Sequence, residues 1–348
     1  MRRLSKRIAI GKTAIGGDTP ITVQSMLNVP SDDIQGNVEQ ARKLERAGCE
    51  IIRAAVPDEA AVQLIYRLKE TVSIPVVADI HFDYKLAIAA VDAGADKIRI
   101  NPGNIGDEAR IKAVADRCLR AGVPIRIGVN SGSVEKDLLA RFGGPTPEAL
   151  AESALKNARM LEKFDFDNIV LSIKSSDVKN TYDANRIAAE KCDYPLHIGV
   201  TEAGTRRMGS IKSAAGIGGL LLAGIGDTIR VSLTGDPVDE VVCAKALLKA
   251  LGIRTCGVSF VSCPTCGRTR IDLIGLVNRV EEALAECNKN IKVAVMGCVV
   301  NGPGEAREAD IGIAGGSGCG VIFRKGEIIR KVSENELLEA LIQEVNQL

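Results

Sequence analysis

Short aliphatic runs recur along the chain, and the longer stretches between them repeat apolar residues with a helical period. An Ala-Gly pair precedes several of the runs, where the glycine fits the left-handed residue that ends a helix. Strands that alternate with helices pair in parallel, and eight such repeats predict an α/β fold of the (β/α)8 TIM-barrel type. The runs lie at residues 20–26, 50–56, 75–80, 97–101, 124–129, 168–173, 195–200 and 228–233.

Three further segments belong to this predicted barrel. Residues 7–17 predict a short hairpin that closes one end of the barrel. Thr146 followed by Pro147 is typical of the start of a helix, here over residues 148–163. Residues 237–251 predict the eighth helix of the repeat.

The rest of the chain predicts a smaller α+β domain. Its predicted elements are a linker at 252–262, a helix at 271–287, strands at 291–296 and 310–314, a hairpin that turns at 325–326, and a final helix from 333. We therefore predict two domains, a TIM barrel over residues 1–252 and the α+β domain over residues 253–348.

The composition limits the possible functions. A net charge of +1 and an aromatic content of 3% argue against a nucleic-acid-binding surface. No uncharged stretch reaches transmembrane length, and no long apolar run follows the basic N-terminus, so we expect neither a membrane segment nor a signal peptide. Ten cysteines in a long chain, without the spacing of small disulfide-rich domains, predict reduced thiols and a cytoplasmic location.

Three cysteines near a glycine-rich loop form the most distinctive motif. In Cys263-Pro-Thr-Cys266 the intervening loop can turn both thiols toward one metal centre, and Cys298 stands between an aliphatic run and a Gly-Pro-Gly loop. A zinc ribbon begins in the same way but requires a second Cys-x-x-Cys, which does not follow. Three thiolates with an irregular fourth ligand suit an iron–sulfur cluster better. The alternative is a pair of buried thiols beside a tight turn.

Three residues compete as the fourth ligand: Cys256, Cys319 and Glu305. The spacing does not decide among them. A carboxylate is a harder and more displaceable ligand of iron than a thiolate. If Glu305 is the ligand, a substrate oxygen could replace it, which would make this residue catalytic.

Five of the eight predicted strands carry a cation where a strand buried on both faces should be apolar. These cations are Arg53, Lys97, Arg99, Arg126, Lys174 and Arg230. Unpaired buried cations are unfavourable, and the evident carboxylates on the runs are only Asp79 and Glu202. The excess positive charge predicts a polyanion at the C-terminal mouth, because the planar fork of arginine suits phosphate oxygens. Alternatively, arginine–aspartate pairs inside the barrel explain one or two of the cations.

Other polar residues end the same strands, at the face where barrels of this type carry their active sites. His81, beside Asp79 at a strand end, is a stronger functional candidate than His197, which lies within a strand and could be a hydrogen-bonded core residue. The remaining candidate binding residues are Asn101, Asn130, Thr201 and Ser232.

The stretches Cys-Pro-Thr-Cys-Gly-Arg at 263–268 and Met-Gly-Cys-Val-Val-Asn-Gly-Pro-Gly-Glu at 296–305 resemble the 4-hydroxy-3-methylbut-2-en-1-yl diphosphate synthase family of the methylerythritol phosphate pathway. The resemblance continues through the N-terminal part, so it covers nearly the whole chain. It implies a small-molecule cyclic diphosphate substrate and a flavodoxin or ferredoxin as electron donor. It also implies a [4Fe–4S] cluster whose ligands are Cys263, Cys266, Cys298 and Glu305.

The resemblance further implies a reductive ring opening and dehydration of 2-C-methyl-D-erythritol 2,4-cyclodiphosphate to 4-hydroxy-3-methylbut-2-enyl diphosphate. The basic and polar residues of the mouth would bind the diphosphate, and Glu202 is the candidate acid for the departing hydroxyl. Two alternatives stand beside this hypothesis. One is a pterin-type barrel synthase with a structural zinc appendage, and the other is a zinc-ribbon interaction module tethered to a barrel.

The predicted topology also bears on assembly. The eighth helix runs back from the mouth, so Leu251 should lie at the opposite face, ~22 Å away. A linker over 252–262 reaches at most ~36 Å when fully extended, and part of it is predicted as strand. A head-to-tail homodimer, in which each cluster domain acts in trans on the other chain's barrel, removes this difficulty. The family resembled is built that way.

Overall fold

The chain forms two compact units, Met1–Leu251 and Gly252–Leu348. The computed structural model describes residues 2–255, 257–285, 287–299 and 302–348. Within these ranges, no helix combines the length and the apolar character needed to cross a membrane.

A hairpin closes the N-terminal end of the first unit. Its strands, β1 (Ile8–Ile10) and β2 (Thr13–Ile15), pair antiparallel. The apolar cluster that joins the hairpin to the barrel wall consists of Ile8, Ile10, Ile15, Ile51, Val77 and Val170. The last three of these residues lie at or next to the first residue of their strands. The hairpin therefore covers this end of the barrel with apolar side chains, in agreement with the prediction for residues 7–17. The polar residues lie at the opposite end of the barrel.

Eight parallel strands form the barrel wall and confirm the predicted TIM barrel. They are β3 (Thr22–Met26), β4 (Ile51–Ala55), β5 (Val76–Asp79), β6 (Lys97–Ile100), β7 (Ile125–Asn130), β8 (Ile169–Lys174), β9 (His197–Ile198) and β10 (Thr228–Ile229). Neighbours follow the order β8-β7-β6-β5-β4-β3-β10-β9. A parallel bridge between Leu171 and Leu196 joins the two ends of this order.

Helices cover the outside of the barrel, and their apolar faces share one core with the strands. They are α1 (Ile34–Arg46), α2 (Ala60–Thr71), α3 (Tyr84–Asp92), α4 (Pro102–Ile105), α5 (Glu108–Ala121), α6 (Lys136–Phe142), α7 (Pro147–Glu162), α8 (Val178–Lys191), α9 (Arg206–Leu222) and α10 (Pro237–Ala250). The start of α7 is as predicted, because the Thr146 hydroxyl accepts a hydrogen bond from the Ala149 N–H and Pro147 occupies the first turn.

β9 and β10 are shorter than the aliphatic runs that predicted them, with two residues each. Beyond them the chain segments approach closely without a regular ladder. A Cβ on Gly199 would lie 2.5 Å from the Arg230 carbonyl oxygen and 2.9 Å from Lys174 Nζ. Position 199 therefore requires glycine, and its absent side chain leaves room for the Lys174 side chain at the mouth.

The second unit is a mixed five-stranded sheet with helices. Its strands are β11 (Ser259–Ser262), β12 (Lys292–Met296), β13 (Ile311–Gly316), β14 (Cys319–Arg324) and β15 (Glu327–Ser333), and its helices are α11 (Leu273–Ala283), α12 (Gly302–Glu305) and α13 (Leu337–Gln347). β11, β12 and β13 pair in parallel, whereas β14 and β15 add antiparallel. Buried residues of α11 and α13 pack with those of the sheet in one core, so this unit buries its own apolar cluster.

Two predicted helices of this unit are longer in the prediction than in the structure. The helix predicted over 271–287 spans Leu273–Ala283, because the Asp272 carboxylate caps its first turn by accepting from the Gly275 N–H at 3.0 Å. The final helix begins at Leu337 rather than at Ser333. The residues between Ser333 and Leu337, Glu334–Glu336, form one turn of 3₁₀ helix.

Candidate functional site

One cavity lies at the carboxyl end of the barrel strands. The residues that line it are Arg53, Arg99, Arg126, Asn130, Ser172, Lys174, Thr201, Arg230 and Ser232. All of them except Ser172 are among the binding residues predicted from the sequence. The parallel register places these side chains side by side in pairs, since Arg99 is paired with Arg126 and, four residues further along, Asn130 with Lys174. We call this cavity the mouth.

Asp79 is the carboxylate on one side of the mouth. Its two oxygens contact Arg53 Nη2 at 2.6 Å and Arg99 Nη1 at 3.2 Å, and His81 Nε2 lies 3.3 Å from the first of these oxygens. Burial alone would raise the pKa of Asp79, but Arg53, His81 and Arg99 hold this pKa well below its ordinary value. Asp79 therefore stays ionised and fixes both arginines. Arg53 Nε is buried without a hydrogen bond among the described residues, whereas Arg99 Nη2 also donates to the Gly128 carbonyl at 3.3 Å.

Glu240 is the carboxylate on the opposite side of the mouth. It lies in the first turn of α10, and both of its oxygens lie 3.4 Å from Arg230 Nη2. The sequence reasoning missed it, because it considered carboxylates on the strands alone. Asp79 pairs with Arg53 and Arg99, and Glu240 pairs with Arg230. Three of the strand cations thus have a carboxylate partner, whereas the sequence pattern predicts that ion pairs inside the barrel explain one or two.

The three other cations of the barrel strands, Lys97, Arg126 and Lys174, have no carboxylate partner among the described residues. Arg126 Nε and Nη1 and Lys97 Nζ are buried without a hydrogen bond. Burial, and then neighbouring cations, lower the pKa of Arg126, of Lys97 and of Lys174 well below their ordinary values. The positive charge in this part of the interior is not neutralised by a carboxylate at ion-pair distance among the described residues. An anion that enters the mouth would therefore stabilise it.

His197 lies behind Lys174 rather than at the surface of the cavity. It is fully buried, its Nε2 lies 3.3 Å from Lys174 Nζ, and its Nδ1 lies 3.4 Å from the Thr228 hydroxyl. Burial, followed by Arg126 and Lys174, lowers the pKa of His197 well below its ordinary value. The ring is therefore neutral, and Nε2 can accept a hydrogen bond from the Lys174 ammonium if the Thr228 oxygen accepts from Nδ1. His197 therefore contacts Lys174 but does not line the mouth.

The remaining predicted residues lie around the mouth rather than in its lining. Asn101 is buried and caps α4, since its side chain accepts from the Gly103 N–H at 3.2 Å. His81 is about half exposed at the rim. Glu202 is exposed and follows Thr201, with a left-handed φ of 50° that is unusual for a glutamate. Backbone strain of this kind is typical of functional loops.

Two of the predicted cluster ligands lie at one edge of the sheet in the second unit. Because β11 and β12 are parallel neighbours, the residues that follow them, Cys263 and Cys298, leave the sheet at the same edge. The Gly297 N–H donates to Cys263 Sγ at 3.2 Å, and the Gly302 N–H donates to the Cys298 carbonyl at 3.2 Å. The second of these hydrogen bonds turns the Gly-Pro-Gly loop back toward the cysteines.

Arg268 connects the other members of this group. Its guanidinium lies within electrostatic reach of Cys266, Cys298 and Glu305. The backbone N–H and the guanidinium of Arg268 lower the pKa of the Cys266 thiol. The sequence reasoning gave Arg268 no role of its own. Two thiols and a carboxylate therefore surround this arginine. Together with Cys263, whose Sγ accepts from the N–H of the residue before Cys298, they are a donor set suited to an iron–sulfur cluster.

Within the described ranges, no three His, Cys, Asp or Glu side chains converge closely enough to hold a single metal ion. A four-iron cluster binds each ligand to a different iron atom, so its ligands stand further apart than those of one ion. Of the other two candidate ligands, Cys319 begins β14 and Cys256 lies outside the described residues.

The fold and these two groups define a class of protein: a (β/α)8 barrel with a cationic mouth, joined to an α+β domain with a thiol-rich edge. Residues 5–245 match the GcpE TIM-barrel domain, and residues 259–347 match the GcpE protein C-terminal domain. The chain belongs to the GcpE family.

Relatives along the full length carry one name, 4-hydroxy-3-methylbut-2-en-1-yl diphosphate synthase (flavodoxin). The protein of this name from Caldanaerobacter subterraneus subsp. tengcongensis is 58% identical and matches 100% of this chain and 98% of its own length. The protein from Clostridium perfringens is 56% identical over 98% of each chain. The protein from Geobacter sulfurreducens is 54% identical over 100% of this chain and 99% of its own.

Solved structures of dihydropteroate synthase share the barrel fold. The enzyme from Stenotrophomonas maltophilia superposes with a TM-score of 0.52, 18% identity and coverage of 72% of this chain and 100% of that one. The enzyme from Xanthomonas albilineans superposes with a TM-score of 0.50 and 18% identity, and the match covers 70% of this chain and 98% of that one. At this identity the likeness shows the fold alone. The pterin-type alternative is therefore not favoured over the name shared by the full-length relatives.

Proposed function

We propose that this chain is a 4-hydroxy-3-methylbut-2-en-1-yl diphosphate synthase, an iron–sulfur oxidoreductase of isoprenoid precursor biosynthesis. Its reaction is the reductive ring opening and dehydration of 2-C-methyl-D-erythritol 2,4-cyclodiphosphate to 4-hydroxy-3-methylbut-2-enyl diphosphate. The observation that carries this proposal is the mouth, where Arg126 and Lys174 are buried without a carboxylate at ion-pair distance among the described residues. A diphosphate supplies the negative charge that these cations lack.

The diphosphate would bind by its oxygens to the guanidinium and ammonium groups of the mouth. Arg53 and Arg99 are held from behind by Asp79, and Arg230 is held by Glu240. Arginines fixed in this way present their remaining N–H groups without first losing side-chain freedom, which favours binding. Asn130, Thr201 and Ser232 add neutral hydrogen-bonding groups to the same cavity.

Opening of the ring breaks the bond between a ring carbon and a diphosphate oxygen, and the dehydration removes a hydroxyl that needs a proton to leave as water. We assign the proton donor to Glu202, because it directly follows the lining residue Thr201 and its strained backbone is held in one conformation. His81, at the rim with its Nε2 3.3 Å from Asp79, is the second polar group that can reach the exposed side of a ligand.

Cys263, Cys266, Cys298 and Glu305 are the residues that would hold a [4Fe–4S] cluster. When bound, such a cluster supplies electrons one at a time to a substrate that needs two. Arg268 would offset part of the negative charge of the thiolates, since its guanidinium lies within electrostatic reach of Cys266 and Cys298. Glu305 would be the exchangeable ligand, because a carboxylate leaves iron more readily than a thiolate.

The proposal includes an electron donor, a location and an assembly. Flavodoxin, which the names of the relatives contain, is the first candidate donor, and a ferredoxin is the second. The cytoplasm is the proposed compartment, because the described cysteines are free thiols. The proposed assembly is a homodimer in which each cluster domain serves the barrel of the other chain.

Anaerobic purification followed by iron, sulfide and zinc assays tests this function. We expect a brown protein with iron and sulfide that converts the cyclic diphosphate when a reduced flavodoxin is supplied. The Arg126→Met variant should keep the same iron content and visible spectrum but bind the cyclic diphosphate at least tenfold more weakly, since a charge-assisted hydrogen bond is worth ~1.5–3 kcal/mol. A colourless zinc protein without turnover would instead support the zinc-appendage alternatives.

A further inference from the structure

Glu240 is a buried carboxylate whose only part in the proposed function so far is its contact with Arg230. Its side chain is 5% exposed, and it is not part of the lining of the mouth. A buried glutamate must be compensated by hydrogen bonds or cations, so its partners indicate its purpose. These partners come from three different segments of the barrel: the segment after β10, strand β3 and the loop that leads into α10.

The first partner is Arg230, which Glu240 contacts side-on. Arg230 Nε lies 3.4 Å from Oε2, and Nη2 lies 3.4 Å from each carboxylate oxygen. The Nη1 group points away from Glu240 and lies 3.5 Å from the Met26 sulfur. The contact fixes the plane of the guanidinium of Arg230, a residue that lines the mouth.

The other partners fix the backbone beside Arg230. Glu240 Oε1 accepts a hydrogen bond from the Leu233 N–H at 3.0 Å, and Oε2 accepts one from the Ser25 hydroxyl at 3.0 Å. Leu233 directly follows Ser232, a lining residue of the mouth. One carboxylate therefore holds both the side chain of Arg230 and the loop that carries Ser232, and it anchors them to β3.

The electrostatics of Arg230 agree with this arrangement. Burial lowers the pKa of Arg230, Glu240 raises it, and Arg53 lowers it again. Glu240 is thus the group that makes a guanidinium favourable in this buried place, as Asp79 does for Arg53 and Arg99. Without the carboxylate, Arg230 would lie close to another cation with nothing to fix its direction.

We propose that Glu240 is a positioning residue of the mouth, which orients Arg230 and the Ser232 loop so that both meet the same phosphate group of a bound diphosphate. This inference rests on the proposed function, in which the mouth binds a diphosphate. Glu240 itself does not touch the ligand. Its effect on binding must therefore pass through Arg230 and the Ser232 loop. Glu240→Gln isolates the first of these, because the amide oxygen can still accept from the Leu233 N–H.

A double-mutant cycle on the holoenzyme tests this dependence, with inorganic diphosphate as the probe and affinity measured by calorimetry without oxygen. Glu240→Gln keeps the shape of the side chain and removes its charge. In the native background it should weaken diphosphate binding about tenfold or more, as expected when a charge-assisted hydrogen bond is lost. In the Arg230→Met background the same change should alter the affinity less than about twofold, because the two residues act as one unit.

The matched control is Asp227→Asn. Asp227 is a buried carboxylate just before β10, where it accepts from the Leu196 N–H at 2.8 Å and from the Ser5 hydroxyl at 2.8 Å. Its replacement should lower stability and leave diphosphate affinity unchanged. Should Glu240→Gln not fold, Glu240→Asp takes its place in the cycle, because it keeps the charge but shortens the reach to Arg230 and Leu233.

Equal losses of affinity in the two backgrounds would overturn the positioning role, and so would an unchanged affinity for Glu240→Gln. If Arg230→Met alone leaves diphosphate affinity unchanged, the mouth is not a diphosphate site at Arg230. That result contradicts the proposed function itself, and the positioning role falls with it. A loss in Arg230→Met that is additive with Glu240→Gln contradicts the positioning role alone.

Discussion

Lys97 places an amine inside the barrel wall, where it is fully buried. Its Nζ has no hydrogen-bond partner in the part of the chain that the structure describes. Burial, followed by the nearby Arg126 and Arg53, lowers its pKa well below the ordinary value. A lysine in this position destabilises the folded protein whenever it must carry a proton.

Lys97→Met should therefore stabilise the folded protein. The pKa of Lys97 is lowered in the folded state and is ordinary, about 10.4, in the unfolded chain. Between these two values the unfolded chain binds more protons, so the stability of the native protein rises with pH through that window. Methionine removes this dependence. The gain should be ~1–4 kcal/mol near neutral pH and should shrink as the pH approaches 10.4.

Urea unfolding of the native protein and of the Lys97→Met variant, at neutral pH and at a pH of about 10, measures this gain. Lys43→Met, on the exposed side of α1, is the control and should change stability little at either pH. A gain that is equal at both pH values would mean that packing, and not the charge of the amine, is responsible.

How well a residue of the mouth could be predicted depends on the element that carries it. Arg99 and Arg126 are conspicuous in the sequence, because each interrupts an aliphatic strand. Glu240 is not, because it lies in a helix ten residues after Arg230, where a glutamate is ordinary. Ser172 has no charge to mark it. The burial of His197 could not be predicted, because a strand residue near the middle of the barrel and one at its mouth have the same local pattern.

At the scale of elements, hydrophobic runs predicted where strands are but not where their pairing ends. β9 and β10 keep the predicted position and stop early, because aliphatic residues report burial and not ladder hydrogen bonds. The N-terminal hairpin could be predicted together with its role, since alternating isoleucines require an apolar surface to cover. Caps such as Asp272 shortened helices that periodicity alone extended.

The α12 turn after β12 is an element with a specific expected behaviour. Glu305 ends this turn, close to Arg268 and the cysteines. Glu305→Ala should keep most of the iron, because three thiolates remain, and should lose turnover, because the exchangeable ligand is gone. Cys298→Ala should lose most of the iron. Iron content and the visible spectrum, measured beside turnover, separate the two cases.

Glu308→Ala is the matched control for this element. Glu308 is an exposed acid on the same segment that lies 3.7 Å from Lys292, and its loss should leave iron and turnover near native. The assignment of Glu305 is contradicted if Glu305→Ala remains active while Cys319→Ala or Cys256→Ala abolishes the iron signal.

At the scale of the whole molecule, the direction of α10 constrains how the two domains can cooperate. α10 follows the mouth loop at Pro237 and spans fourteen residues, or ~21 Å. Lys245 Nζ, in its second half, donates to the Ala47 carbonyl at 3.0 Å, on the side where the chain enters β4. Leu251 therefore ends the barrel far from its mouth. Residues 252–258, which lead to β11, reach at most ~25 Å when fully extended.

Such a short linker favours an assembly in which the cluster domain of one chain serves the barrel of a second chain. Complementation between two inactive variants tests this assembly, with enzyme activity as the measurement. Neither Cys298→Ala nor Arg230→Met should be active alone. After exchange between equal amounts, about half of the dimers are mixed, and each has one site with a native barrel and native thiols, so roughly a quarter of the native activity should return. Cys298→Ala mixed with Cys266→Ala should stay inactive, because both defects lie in the same domain. If mass-tagged subunits exchange and the first mixture also stays inactive, each chain completes its own site and the assembly in trans is wrong.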